Sequence, residues 1–180
     1  MPAIALRPWL PTDAEALQRA FLSTPDLDTQ LGGADLSSAA SARVFLAESL
    51  SHGDSRRNWA IVADGVAMGN VGLSAIEHRH DTAWAYYGLA ESARGKVCAA
   101  AALAEAADWA FENDVFRIEL GHRVNNPASC AVARRAGFIA EGIERQKLRY
   151  GDRRFDVELH ARLRSDPVPE RHGMDVTILD

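Results

Sequence analysis

Residues 3–6 form a short apolar run closed by Arg7-Pro8, and the run predicts a first strand. Behind it, Thr12-Asp13-Ala14-Glu15 matches a capping box, in which the Thr12 hydroxyl accepts from a backbone N–H left over at a helix start and Glu15 reaches back. The helix it opens runs to about Ser23, since Pro25 has no N–H to continue it. Gly32-Gly33 breaks the chain again. Val44, Phe45 and Leu50 then mark one face of a second helix, which stops at Ser51-His52-Gly53.

From there the pattern becomes that of strands. Two apolar runs, residues 59–63 and 66–73, flank Asp64-Gly65, a pair that accepts the positive φ angles of a two-residue turn, so they predict a hairpin. Residues 82–89, carrying Trp84, Tyr86 and Tyr87, predict a third strand beside it. Residues 97–113 are mostly Ala, Leu, Glu and Trp, and all but Trp are good helix formers. A strand over 116–120 follows. Asn126-Pro127 opens another helix, because Asn caps well and Pro at the first position loses no intrahelical bond. Gly137 closes it in the left-handed conformation that other residues avoid. Residues 138–163 supply two long strands joined near Gly151-Asp152.

The order β-α-α-β-β-β-α-β-α-β-β predicts one mixed α/β (α+β) domain over residues 1–164, without internal repeats. Residues 165–180 contain Pro167, Pro169 and Gly173 and read as a disordered C-terminal tail, unless Val176-Thr177-Ile178-Leu179 pairs with a sheet edge or a neighbouring chain.

Composition narrows the classes of function. A chain of 180 residues buries roughly two thirds of its unfolded surface, so it needs no disulfide or metal staple. A net charge of −5 argues against nucleic acid as a bulk partner, because phosphate binding draws on an excess of Lys and Arg. Cys98 and Cys130 lack the paired spacing of a metal site and read as buried, reduced thiols, so no metal is expected. The first residues show no basic segment followed by a long apolar run, and no stretch approaches the ~20 apolar residues of a membrane span. The chain reads as cytoplasmic, with no membrane partner.

Chemistry concentrates in two stretches. In the first, the strand ending at Leu89 runs through Ala90-Glu91-Ser92-Ala93-Arg94-Gly95-Lys96 into the long helix. Helix N-termini present N–H groups without intrahelical partners and a partial positive charge, and Arg94 and Lys96 add full charges, so the passage suits phosphate oxygens. In the second, Asn126 and Ser129 stand three apart at a helix start and face one side of its first turn. Each has an ordinary reading by itself, a solvated loop in one case and simple capping in the other.

Taken together the two stretches resemble the GNAT acetyltransferases, most closely the RimJ/RimL-type branch. That family carries an Arg/Gln-x-x-Gly-x-Gly/Ala loop, then a helix beginning Asn-x-x-Ser and ending Ala-Gly-Phe. The matching residues are Arg94-Gly95-Lys96-Val97-Cys98-Ala99, Asn126-Pro127-Ala128-Ser129 and Ala136-Gly137-Phe138. Flanking segments agree: Arg7-Pro8 with Asp13, Ala107-Asp108-Trp109-Ala110-Phe111 and Arg117-Ile118-Glu119-Leu120. The resemblance spans about residues 4–163. It implies a mixed, mostly antiparallel central sheet with a splayed strand pair, flanked by helices. It also implies that acetyl-CoA is the acyl donor and that backbone N–H groups of Gly95, Lys96, Val97, Cys98 and Ala99, beside Arg94, cradle the CoA pyrophosphate. The pantetheine arm would lie between the strand ending at Leu89 and the next one. Asn126 would contact the pantetheine or amine side, and Ser129 would protonate the departing thiolate.

The activity so implied is acetyl transfer to a primary amine, on a protein N-terminus or a small molecule, by direct attack in a ternary complex. A homodimer is compatible with it. The second reading is a degenerate GNAT domain that senses acyl-CoA, or acts as an interaction module, without efficient turnover. Two departures from the family pattern, at Val97 and Trp84, motivate it, and a third concerns His160. Val97 stands where glycine lets the backbone approach the pyrophosphate. Trp84 stands where many members carry a basic Glu, which leaves Glu77, near His78, His80 and Asp81, as the candidate general base or as a solvated loop residue. His160 stands where related chains show Tyr, and reads either as a thiolate-protonating imidazole or as a core or edge histidine. Glu119 reads as a cross-strand polar partner. Trp59, Trp84 and Tyr86 line an acceptor pocket or fill the core, and Asp26, Asp28 and Asp35 in the early loop admit a cationic acceptor.

Overall fold

The computed structural model describes residues 3–24, 34–95, 97–170 and 174–179. Pro25, Asp26, Asp28, Gly32-Gly33, Lys96 and Gly173 lie outside the described residues. The elements run β1 (Ile4–Arg7), α1 (Ala14–Leu22), α2 (Ala39–Ser49), β2 (Arg57–Ala63), β3 (Val66–Glu77), β4 (Thr82–Leu89), α3 (Cys98–Glu112), β5 (Arg117–Arg123), α4 (Pro127–Arg135), β6 (Ile139–Tyr150), β7 (Arg153–Leu163) and β8 (Val176–Ile178). The strands form one sheet in the order β6-β7-β5-β4-β3-β2-β1-β8. Only β4–β5 and β1–β8 are parallel, so the sheet is mostly antiparallel, as the family resemblance implies.

Local chemistry accounts for most of the element ends. Asp64 and Gly65 both have positive φ, 50° and 77°, and turn β2 directly into β3 with Ala63 paired to Val66. Asn126 caps α4 by accepting the Ser129 N–H at 3.1 Å, and Gly137 leaves that helix at φ 85°. Ser38 caps α2, its hydroxyl accepting the Ser41 N–H at 3.0 Å.

Three expectations need correction. The Thr12/Glu15 capping box does not form, because Pro11 opens a 3-10 turn over Pro11–Asp13 that takes Thr12 inside it. Asp13 serves the helix start instead. Its carboxylate accepts the Leu10 N–H at 2.9 Å and two Arg7 N–H groups at 2.6 and 2.9 Å. On α2, Val44 points to solvent, and the buried stripe is Ala42, Leu46 and Leu50 with Phe45 partly covered. The C-terminal segment is no free tail: β8 pairs in parallel with β1, and Met174 is buried in the main core. Alternation turns Val176 and Ile178 onto that core, while β8 covers an edge of β1 that would otherwise carry unpaired N–H and C=O groups.

Both sheet faces are covered. Trp59 and Ile61 of β2 join the cluster under α3, whereas the alternate residues Ala60 and Val62 join the one reached by Trp9 and Ala16. Five alanines of α3 lie in the main core with Leu73, Ile118 and Leu120; short side chains let the helix sit close to the sheet. Trp59 is buried edge-on against Trp109 at 5.1 Å and so belongs to the core, not to an acceptor pocket.

The sheet opens at one place. β4 and β5 pair over Thr82–Arg117, Ala83–Ile118 and Trp84–Glu119 only. Beyond that point β4 stays paired to β3 as far as Leu89, and β5 stays paired to β7 as far as Arg123. Two complete half-sheets therefore diverge along residues 85–89 and 120–123.

Two outcomes follow. Met174→Ala should lower unfolding free energy by about 2 kcal/mol, the low end for emptying a buried Met site, as read from the urea midpoint. Burial raises the Asp13 carboxyl, but the Arg7 and Leu10 hydrogen bonds outweigh it and hold it below the usual carboxylate range. A depressed folded value contributes stability above the unfolded pKa and loses it as pH falls through the folded one. Asp13→Asn should therefore cost about 1 to 2 kcal/mol at neutral pH, with the difference from wild type shrinking below about pH 4.

Candidate functional site

The divergence of β4 and β5 leaves a V-shaped gap whose walls are strand edges. Strand backbone groups alternate between two neighbours, so about half of those along residues 85–89 point into the gap without a β5 partner. One is accounted for at the rim, where Arg94 Nε donates to the Leu89 carbonyl at 3.2 Å. A peptide-like ligand lying in the gap would meet a ready strand edge.

At the open end of the gap, β4 passes through Ala90 and a 3-10 turn at Glu91–Ala93 into the loop before α3. Gly95 has φ 76°, and Val97, the N-cap of α3, has φ 64° and ψ −6°. Left-handed backbone of this kind is found where main-chain N–H groups turn toward an anion. Val97 makes no side-chain cap hydrogen bond among the described residues, and α3 is 15 residues long, so its dipole and the first-turn N–H groups of Ala99 and Ala100 add to the same site. Arg94, Gly95, Val97, Cys98 and Ala99 thus gather at one rim. Valine is a poor choice for a left-handed position, since Cβ crowds the following carbonyl. The glycine that the resemblance leads one to expect at Val97 is missing as a residue, but its backbone conformation is present.

Across the gap stands α4. Its first turn presents Ser129, partly buried, and the Ser129 carbonyl accepts the Tyr87 hydroxyl at 3.2 Å. This bond ties β4 to α4 where the strands themselves have parted. Burial pushes the Tyr87 phenol up, so it remains a donor. Asn126, its side chain engaged by the Ser129 N–H, shapes the turn.

The opposite face of the sheet carries Trp84 and Tyr86. Tyr86 donates to Asn58 Oδ1 at 2.7 Å, Asn70 Nδ2 to the same oxygen at 3.2 Å, and Trp9 Nε1 to Asn70 Oδ1 at 2.8 Å. Asn58 is fully buried, and the network locks β2, β3 and β4 together. Gly121 of β5 leaves room for Trp84, whose ring would lie 3.3 Å from an added Cβ.

Glu77 is not part of this assembly. It ends β3 opposite Thr82, at the closed end of the V, roughly 20 Å of strand from Leu89. Its carboxylate accepts from Arg79 N, His80 N and Thr82 Oγ1, at 3.0 to 3.1 Å, and so closes a turn. Glu119 pairs with Arg117 at 2.7 Å, an in-strand version of the expected polar partnership, and Arg117 also grips Glu141.

His160 is a core histidine, and sequence reasoning missed what surrounds it. Its Nε2 lies 3.1 Å from His122 Nε2 and 2.8 Å from Glu158, and Glu158 accepts from the Cys130 thiol at 3.4 Å. The hydrogen bond from His160 holds the Glu158 carboxyl below its ordinary range, and burial with the Glu158 bond pushes the Cys130 thiol up. The only hint in the sequence is that Glu158 and His160 share a strand face; their meeting with β5 and α4 depends on strand register.

A strand pair thus parts beside the N-terminus of α3, with a hydroxyl-bearing helix opposite. The chain belongs to the acetyltransferase (GNAT) domain family, whose model matches residues 4–139, and is accordingly an acyltransferase with acetyl-CoA as donor. Among solved structures it is similar to Mycobacterium smegmatis RimJ in complex with CoA-disulfide, at 25% identity and TM-score 0.77 over 91% of this chain and 85% of that one. It is also similar to an acetyltransferase from Salmonella typhimurium that modifies the N-terminal serine of ribosomal protein L7/L12, at 25% identity and TM-score 0.74, covering 88% and 93%. A microcin C7 self-immunity acetyltransferase, MccE, solved with acetyl-CoA and AMP, shares the fold at 19% identity and TM-score 0.79, covering 89% and 92%. No curated protein matches the chain. No helix among the described residues is long and apolar enough to cross a membrane.

Val97→Gly removes the left-handed strain at the rim while keeping the backbone path. It should raise unfolding free energy by about 1 kcal/mol, part of the strain being offset by the greater freedom of glycine in the unfolded chain. Calorimetric titration should show tighter acetyl-CoA binding as well; an unchanged affinity would mean that the valine side chain does not crowd the cofactor.

Proposed function

We propose that this protein moves the acetyl group of acetyl-CoA directly onto a primary amine, in a ternary complex and without an acyl-enzyme. The observation that carries the reading is the β4–β5 gap, bounded at one rim by the left-handed turn before α3 and on the far side by Ser129. The pyrophosphate sits on the N–H groups of residues 95–99, with Arg94 beside it. Pantetheine amides pair with the open edge of β4, which brings the thioester toward Tyr87 and Ser129. A main-chain N–H of that edge stabilises the oxyanion as the tetrahedral intermediate forms. The amine approaches from the Trp84 and Tyr86 side. With Glu77 at the closed end, its proton leaves to water. Collapse expels the CoA thiolate, which takes a proton from the Ser129 hydroxyl.

A covalent route has little support. The Cys130 thiol is held in its protonated form by burial and by Glu158, and Cys98 is buried in α3. The acceptor is the amine of a protein N-terminus or of a small molecule. Similarity at 25% identity to a chain that modifies a ribosomal N-terminal serine favours the first. The second reading, a domain that holds acyl-CoA without efficient turnover, draws on the strained Val97 and on the position of Glu77.

The readings separate in an acetyl-CoA thermal shift run beside a thiol-release assay on peptides with free N-termini and on small amines. Release of CoA thiol with at least one amine supports transfer; a shift without release on any amine supports the binding module. Ser129→Ala should lower kcat about 100-fold, as loss of a general acid does, with acetyl-CoA affinity nearly intact. If kcat is unchanged, Ser129 is only a helix-start residue.

A further inference from the structure

The four side chains His122, Cys130, Glu158 and His160 come from three elements, β5, α4 and β7, and meet beneath α4. One ligand-type atom from each lies within 4.8 Å of all the others. The nearer separations are 3.1 Å between the two Nε2 atoms, 2.8 and 3.4 Å from these to Glu158 Oε2, and 3.4 Å from that oxygen to Cys130 Sγ. In a tetrahedral zinc site with bonds near 2.0 Å to N and O and 2.3 Å to S, neighbouring ligand atoms stand roughly 3.3 to 3.6 Å apart. Four of the six separations fall near that spacing, and the two from the imidazoles to Cys130, within 4.8 Å, close to it by rotation of the cysteine side chain.

Tautomers sharpen the point. His122 Nδ1 faces the Arg123 carbonyl at 3.1 Å and His160 Nδ1 faces the Phe138 carbonyl at 3.5 Å. A carbonyl only accepts, so a hydrogen on Nδ1 of each ring is the tautomer that frees Nε2 to ligate, in place of the Nε2–H that His160 otherwise offers Glu158. Two ring nitrogens and a carboxylate oxygen converge where His160 is fully buried and His122 nearly so. The carbonyl-anchored Nδ1–H is also the arrangement that orients metal-ligating histidines. Glu158 and Cys130 are partly exposed, which gives an ion a way in.

We propose that His122, Cys130, Glu158 and His160 bind one divalent transition-metal ion, with zinc the best fit to a mixed His2CysGlu set. With four protein ligands the coordination is closed, so the ion is structural. It clamps the splayed end of β5 and the first turn of α4 onto β7, fixing the far wall of the gap. The expectation of a metal-free chain rested on cysteine spacing, which cannot register ligands drawn from three elements.

The test uses the full chain without an affinity tag, stripped with chelator, loaded with zinc, desalted and analysed by mass spectrometry of the metal. One zinc per chain, with a raised thermal midpoint, is the expected result. Cobalt loading should give the visible bands of a tetrahedral ion and a near-ultraviolet thiolate charge-transfer band. Cys130→Ser should abolish the charge-transfer band, and His160→Gln should weaken zinc binding by more than about 100-fold, beyond the loss that an outer-shell change causes. Circular dichroism of each variant establishes that it folds. Wild-type protein that retains no zinc and shows no cobalt bands overturns the proposal and leaves a proton-sharing His–His–Glu cluster. Stoichiometric zinc in a folded Cys130→Ser, His160→Gln double variant overturns it too, by placing the ion elsewhere. Neither result bears on acetyl transfer, which the thiol-release assay reads separately.

Discussion

After Trp84 and Glu119 the strands β4 and β5 go separate ways, and the rest of the structure is arranged around that parting. Backbone N–H and C=O groups that lose their sheet partners need others, and a run of them along residues 85–89 is costly unless a ligand or water takes their place. The half-sheets on either side compensate. β4 is held along its length by β3, β5 by β7, and the Tyr87–Ser129 bond spans the opening through α4. The gap is therefore a slot between two half-sheets that are each fully paired on the other side.

The rim of the slot shows a conflict between local and global demands. Gly95 and Val97 both adopt left-handed backbone, easy for the first and strained for the second. Strain of this kind persists where the surroundings over-determine the conformation. Here α3, anchored in the core by its row of alanines, leaves the chain little choice about how it enters the helix. Loop geometry suited to an anion is thus retained with a residue that does not favour it.

Both faces of the sheet support the slot differently. On one, the Asn58 network joins Trp9, Asn70 and Tyr86 and keeps β2, β3 and β4 together. On the other, His122, Cys130, Glu158 and His160 gather at the base of α4. A buried polar cluster is stable only when every member has a partner, so each of these groups depends on several strands being in place.

Sequence by itself determined the elements and their order. Periodicity, the Asp64-Gly65 turn, the Asn126 cap and Gly137 are local signals, set by steric and hydrogen-bonding rules that act within a few residues. The two motif stretches stood out through their resemblance to a family pattern, and they fall at the two sides of the gap. Tertiary structure decided what needed partners from afar. Thr12 looked like a cap until the 3-10 turn gave the role to Asp13, and residues 165–180 looked like a tail until the edge of β1 drew β8 in. Glu77 was set apart from the site by the direction of β3, and His122 and His160 were brought together by the register of β5 on β7, in which Leu120 pairs with His160 and His122 with Glu158. Such contacts depend on strand order and register, which are fixed by how whole faces pack and leave almost no trace in the spacing of single residues.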